Sequence, residues 1–159
     1  MSSLNLVPLK GIEESLHGGE GAALHPGWIP VLERVPLFQA LSKRHLRGVA
    51  RLAELKRFKD GAAVVRAGAR GDAFYIVLDG KARVETPAGH KHDLNAGDYF
   101  GELALLDGAP RAATVSSVGS MATARIPRTG FLKLLRDEPE IGVGLAQGLV
   151  AIVREMQAE

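Results

Sequence analysis

Two side chains nine residues apart carry the most distinctive chemistry in this sequence. Glu102 and Arg111 bracket the stretch Phe100-Gly101-Glu102-Leu103-Ala104-Leu105-Leu106-Asp107-Gly108-Ala109-Pro110-Arg111-Ala112-Ala113-Thr114-Val115. A carboxylate accepts hydrogen bonds from hydroxyls, and a guanidinium forks onto a phosphate with paired N–H donors. Gly101 sits where a strand ends and where backbone can approach a ligand closely. The spacing predicts one helical turn over Glu102–Leu106, whose first N–H groups lack intrahelical partners and attract anions. Asp107-Gly108-Ala109-Pro110 then turns the chain, and Arg111 enters the next strand. The set fits a ligand that bears both a hydroxyl and a phosphate. An ion pair closing the loop also fits the two charges alone; the small, apolar, Gly and Pro residues between them favour the site.

These residues need a scaffold, and the periodicity of the chain describes one. Residues 1–28, punctuated by Gly18, Gly19, Gly21, Pro26 and Gly27, read as a flexible leader whose only helical hint is Ile12 to His17. Residues 29–55 read as helical. Pro36 breaks a first short helix, Ser42 can cap a second, and Leu46, Val49, Ala50 and Ala53 share one apolar face. From 56 to 127 short β-type runs alternate with turn signals: Ala63–Val65, Phe74–Leu78, Ala82–Thr86, His92–Leu94, Thr114–Val118 and Ala122–Ile126. Turns fall at Asp79-Gly80 and Gly119-Ser120 among others. Such spacing suggests a sandwich or barrel, and the lack of βαβ alternation speaks against a parallel nucleotide-binding sheet. Helix returns at the end. Thr129 can cap Phe131–Leu135, and Pro139 suits the first turn of a last helix. Along that helix Ile141, Leu145, Leu149, Ile152 and Met156 form a stripe, interrupted by Gly142, Gly144 and Gly148.

Composition narrows the function classes. A chain of 159 residues is one domain's length, and with 46% hydrophobic and 24% charged residues it has the balance of a soluble globular protein. Cysteine is absent, which removes disulfides, thiolate metal sites and a cysteine nucleophile. No membrane-length apolar run and no signal-peptide pattern occur, so the expected location is cytoplasmic. The net charge of +2 hides an asymmetry: residues 43–70 hold nine Lys and Arg against two acids, a net +7, and the rest sums to −5. This basic segment reads as a solvated surface or, alternatively, as a dock for an acidic partner, nucleic acid or anionic membrane. No aromatic residue interleaves it before Phe58, so base stacking is poorly supported.

The stretch from Phe100 to Val115 resembles the phosphate-binding cassette of the cyclic nucleotide-binding domain family, which includes regulatory subunits of cAMP-dependent protein kinase and bacterial catabolite activator proteins. Val35-Pro36-Leu37-Phe38, Gly71–Gly80 and Gly97-Asp98-Tyr99-Phe100-Gly101-Glu102 resemble further family motifs in order, and residues 30–157 fit the family layout. The resemblance implies an antiparallel, eight-stranded β jelly roll (a double-stranded β-helix barrel, α+β in class) over 29–159, flanked by N-terminal helices and a C-terminal helix pair. It implies that Glu102 binds a ribose 2′-hydroxyl, that Arg111 pairs with the cyclic phosphate, and that backbone N–H groups around Leu103, Ala104 and Ala112 complete the cradle. Phe100, Gly101 and Ala113 belong to the same ligand-binding set. Val84 matches an apolar wall beside the base. His92 aligns roughly with another base-facing position and is expected to be a surface strand residue. Val153 and Met156 are candidate caps over the base, with simple core packing as the alternative.

Two departures from the family bear on function. Members that prefer cGMP often carry a hydroxyl residue directly after the arginine; Ala112 stands there, which points to cAMP with cGMP as the alternative. The family's transcription factors continue into a DNA-reading domain, whereas this sequence stops near the end of the last helix. The expectation is therefore a stand-alone sensor rather than an enzyme. It would have no cofactor, metal, DNA-binding domain or membrane span, and would signal through its C-terminal helix to a separate protein effector; the sequence leaves its oligomeric state open. Two alternatives were weighed. His90-x-His92 is similar to part of a cupin metal site, but Ala96 and Gly97 stand where a carboxylate ligand is needed. A ligand-free interaction module using the 43–70 surface is the other, and the presence of both Glu102 and Arg111 argues against it.

Overall fold

The computed structural model describes residues 28–158, so the leader expected over 1–28 lies outside the described residues except for Trp28. Helix α1 (Trp28–Glu33) stops short of Pro36, which opens a 3₁₀ turn over Pro36–Phe38. Proline's fixed φ and missing N–H suit that first-turn position. Ser42 caps α2 (Lys43–Ala50) as expected, its Oγ accepting from the His45 N–H at 3.1 Å. Six strands are named among the described residues: β1 (Glu54–Phe58), β2 (Ala63–Val65), β3 (Ala73–Glu85), β4 (Lys91–Asn95), β5 (Tyr99–Phe100) and β6 (Thr114–Pro127). They pair antiparallel in the order β1-β6-β3-β4, with β2 joined to β6 and β5 to β3. A short helix α3 (Ala104–Asp107) lies between β5 and β6, and α4 (Arg128–Asp137) and α5 (Glu140–Gln157) close the chain. The antiparallel jelly roll with helices before and after it is present.

Several local expectations change. The runs at 74–78 and 82–86 are one strand, β3, and those at 114–118 and 122–126 are one strand, β6. The turn signals between them act as irregularities inside long strands. The β3–β6 register shifts around Asp79, where Gly80 takes a φ of 89°. A Cβ on Gly80 would collide with the Ser120 carbonyl and sit 3.0 Å from Met121 Cα, so glycine permits the two backbones to meet. This merging accounts for six named strands instead of eight. Glu54 and Leu55, expected to be helical, open β1. Thr129 is not a cap: α4 begins at Arg128 behind Pro127, and no side chain caps it.

Strand β3 joins the two buried clusters because its successive side chains point to opposite faces. Phe74, Ile76 and Leu78 face the helices and pack with Leu32, Phe38 and Phe131. Ala73, Tyr75 and Val77 face the other way, with Val65, Val84 and Val115. Phe38 meets Phe74 edge-on at 5.8 Å between ring centres. Helix α5 runs unbroken through Gly142, Gly144 and Gly148. Two of these glycines are where the helix meets the 3₁₀ turn. A Cβ on Gly144 would lie 2.6 Å from Leu41 Cδ2, and one on Gly148 would strike the Leu37 carbonyl and lie 3.2 Å from the Pro36 oxygen. Gly142 has open space.

This difference is testable by urea unfolding. Gly142→Ala is expected to stabilise the protein by about 1 kcal/mol, the usual helix-interior gain. Gly148→Ala is expected to destabilise it by about 1–3 kcal/mol despite the same intrinsic gain, because backbone atoms of the 3₁₀ turn must move. Equal effects at the two positions would contradict the packing described.

Candidate functional site

Arg111 is the most constrained charged residue among those described. Its side chain is only 7% exposed, although it lies in a loop three residues before β6 and not in the strand as expected. The backbone on either side is laced to the β2–β3 connection. The Arg111 N–H donates to the Ala69 carbonyl at 2.7 Å, Gly68 N–H to the Arg111 carbonyl at 2.8 Å, and Gly71 N–H to the Ala109 carbonyl at 3.1 Å. Nη2 donates to the Ala73 carbonyl at 2.6 Å and lies 3.8 Å from an Asp72 carboxylate oxygen. The buried Nε has no hydrogen-bond partner. Burial pushes the guanidinium below its ordinary pKa, with the Asp72 carboxylate acting in the opposite sense. A buried donor left without an acceptor is costly, which makes Arg111 a strong anion-binding group.

Arg111 lines a cavity of about 520 Å³. This lies within the range of small-ligand sites. One wall comes from the β5–β6 connection and carries Glu102, Asp107 and Arg111. The other comes from the sheet and is largely apolar: Val65, Val84, Leu94 and Val115, with Phe100 beside them. Phe100 stacks on Tyr75 at 5.1 Å, and the Tyr75 hydroxyl accepts from Arg125 Nε at 3.3 Å. Arg125 also donates to Glu54 at 3.0 Å and to Asp72 at 3.3 Å, so Asp72 joins two arginines. Burial and the Glu102 carboxylate push the Tyr99 phenol above its ordinary pKa.

The residues anticipated from sequence separate into two groups. Val84, Phe100, Gly101, Glu102, Leu103, Ala104, Arg111, Ala112 and Ala113 all line the cavity. Glu102 and Arg111 form no ion pair among the described residues, so the loop-closing alternative is not what holds them. The helical turn starts two residues later than expected, at Ala104, and the Ala104 N–H is already committed to the Gly101 carbonyl at 3.2 Å. It is therefore not free for an anion, whereas the N–H groups of Leu103 and Ala112 make no hydrogen bond among the described residues. Val153 and Met156 lie outside the cavity on α5, 50% and 68% exposed, and are neither core nor cap here. Sequence reasoning gave no ligand role to Val65, Leu94, Val115 or Asp72, and it set His92 aside as a surface residue; His92 lines the cavity. Val65 and Val115 are cross-strand partners, a relation that only pairing register reveals.

Outside the cavity, Arg44 of the basic segment pairs with Glu138 at 2.7 Å, while Lys43, Arg47 and Arg51 are exposed along α2. No group of three His, Asp or Glu side chains among the described residues is arranged to hold a metal ion. No described helix is long and apolar enough to cross a membrane.

Comparison with known proteins agrees with this geometry. The family model described as the cyclic nucleotide-binding domain matches residues 55–138. A cAMP-dependent protein kinase regulatory subunit from Mycosarcoma maydis is 44% identical over 96 residues, covering 58% of this chain and 18% of that protein. The N-terminal domain of a transcriptional regulator from Streptomyces coelicolor superposes with a TM-score of 0.69 at 25% identity, covering 79% of this chain and 94% of that one. The regulatory domain of Toxoplasma gondii PKA, solved with cAMP, superposes at 0.59 with 32% identity over 80% of this chain and 49% of that one. The chain thus spans about a fifth of the fungal subunit's length.

Gly101 offers a test of how Arg111 is held. Its φ is 86°, and a Cβ there would strike the Arg111 guanidinium and lie 3.0 Å from the Ala73 carbonyl. Gly61 has a similar φ of 79° but open space. Both Ala substitutions incur backbone strain of about 1–3 kcal/mol. Gly101→Ala is expected to lose clearly more stability in chemical denaturation than Gly61→Ala; equal losses would show that Arg111 is not seated against Gly101.

Proposed function

Because this chain belongs to the cyclic nucleotide-binding domain family, we propose that its cavity binds cAMP and that the protein acts as a sensor which passes the signal to a separate protein. One observation carries the reading. A single cavity of about 520 Å³ combines a buried arginine with an unpartnered N–H, a carboxylate without a cation, and an apolar wall. These match the three parts of the ligand: a cyclic phosphate, a ribose hydroxyl and a flat base.

In this reading the phosphate meets Arg111 and the free N–H groups of Leu103 and Ala112, and it satisfies the Arg111 Nε. Glu102 accepts from the ribose 2′-hydroxyl. The base lies against Val84, with Phe100, Gly101, Ala104 and Ala113 completing the walls. Ala112 offers no hydroxyl to a guanine amino group, and the related Toxoplasma gondii domain was solved with cAMP, both of which support cAMP over cGMP. The family is a binding one, so no reaction is assigned and the chain is read as regulatory. A protein effector is supported by the related kinase regulatory subunits.

Helix α5 is the proposed output. Val143, Val150, Val153 and Met156 expose apolar surface along it, which is unfavourable in water and would be covered if α5 closed over the cavity. Ligand binding then shifts the population toward the closed placement, with Val153 and Met156 capping the base.

Calorimetric titration tests the ligand assignment. Arg111→Ala is expected to weaken cAMP binding by about 2–5 kcal/mol, as when one partner of a buried charge pair is removed. An unchanged affinity would overturn it. For α5, cAMP is expected to raise hydrogen-exchange protection over residues 140–157; identical exchange with and without ligand would remove the proposed output.

A further inference from the structure

The pairing register places one polar side chain in the otherwise apolar wall of the cavity. In the sheet, His92 of β4 stands opposite Val84 of β3, Val84 opposite Val115 of β6, and Val115 opposite Val65 of β2. Cross-strand partners share a face, so these four side chains form a row, and all four line the cavity. The three valines are buried and His92, at the end of the row, is exposed. A flat ring resting on Val84 and Val115 therefore presents its edge to the imidazole.

His92 is also uncommitted. Its side chain makes no hydrogen bond or ion pair among the described residues. The charged residues beside it in the sheet, Lys91 and Asp93 on β4 and Arg83 and Glu85 on β3, alternate to the opposite face. There Asp93 pairs with Arg83 and Lys81, and Lys91 with Glu85. The titratable groups that share its cavity are Tyr99, Glu102, Asp107 and Arg111, all from β5 and the β5–β6 connection.

We propose that His92 contacts the six-position edge of the bound base and makes the choice between adenine and guanine depend on pH. The proposal rests on the cyclic-nucleotide reading of the same cavity. A neutral imidazole has one donor and one acceptor, so it satisfies either the adenine amino group or the guanine carbonyl. The imidazolium has donors only and satisfies the carbonyl alone. Imidazole changes charge between about pH 5 and 8, so acidification turns a tolerant contact into one that favours guanine.

The test is calorimetric titration of cAMP and of cGMP into the full chain at about pH 8 and about pH 5.5, for wild type, His92→Leu and His92→Gln. In wild type the ratio of the cAMP to the cGMP dissociation constant is expected to rise about fivefold on acidification, the size of a hydrogen bond to a charged group at an exposed site. Both variants are expected to bind at about pH 8 and to hold a constant ratio, Gln because it keeps a neutral donor and acceptor, Leu because it keeps only the apolar wall. A constant ratio in wild type, or the same rise in either variant, overturns the role of His92 while leaving the cavity reading intact. Wild type that binds neither nucleotide overturns the cavity reading and the role of His92 with it.

Discussion

Removing a guanidinium from water is expensive unless its donors find partners, and the Arg111 side chain is almost wholly removed. Much of the surrounding structure follows from that constraint. The segment before β3 is laced to residues 109–111 so that the Ala73 carbonyl and the Asp72 carboxylate reach Nη2. Gly101 leaves room for the planar group, and a side chain at Gly71 would be only 2.7 Å from Ala104 Cβ, so these loops must stay thin. One donor, Nε, remains without an acceptor. A stability-optimised loop would satisfy it or replace the arginine. An anion-binding loop leaves it for the ligand.

The helices answer a different requirement. β3 buries both faces, so it needs a layer on each side; α1, α2 and α4 and the 3₁₀ turn cover one face, and the inside of the jelly roll takes the other. Helix α5 is fixed at its first half, where Gly144 and Gly148 let it lie against the 3₁₀ turn and where Ile141 and Leu145 are buried. Beyond Gly148 its apolar residues are partly or largely open to water. One end of the helix is therefore tied into the core while the other has little to hold it, the distribution of contacts expected of an element that changes position.

The charge asymmetry found in the sequence does not mark the ligand cavity. Residues 43–70 contribute cations mainly to the outer face of α2, to β1 and to the loops around β2, and Arg44 is tied to Glu138. The positive charge that matters to the cavity is one buried residue outside that segment. Burial multiplies its effect, whereas exposed charges in high dielectric interact weakly even when numerous.

What the sequence determined alone is what neighbours along the chain can encode. The cassette from Phe100 to Val115, the Ser42 cap, the break at Pro36 and most strand segments were legible because each depends on residues a few positions apart. The nine cavity positions anticipated from the motif do line one cavity for the same reason. Tertiary structure decided the rest. Whether Asp79-Gly80 ends a strand or only bends it depends on the β6 backbone opposite. Arg111 finds Asp72 and Ala73, some 38 residues away in sequence, through loop packing. His92 faces the cavity because pairing fixes it beside Val84, and a shift of one residue would turn it to the other face. Helical periodicity marked Val153 and Met156 as apolar stripe residues but could not say what they would touch, since that depends on where α5 is anchored.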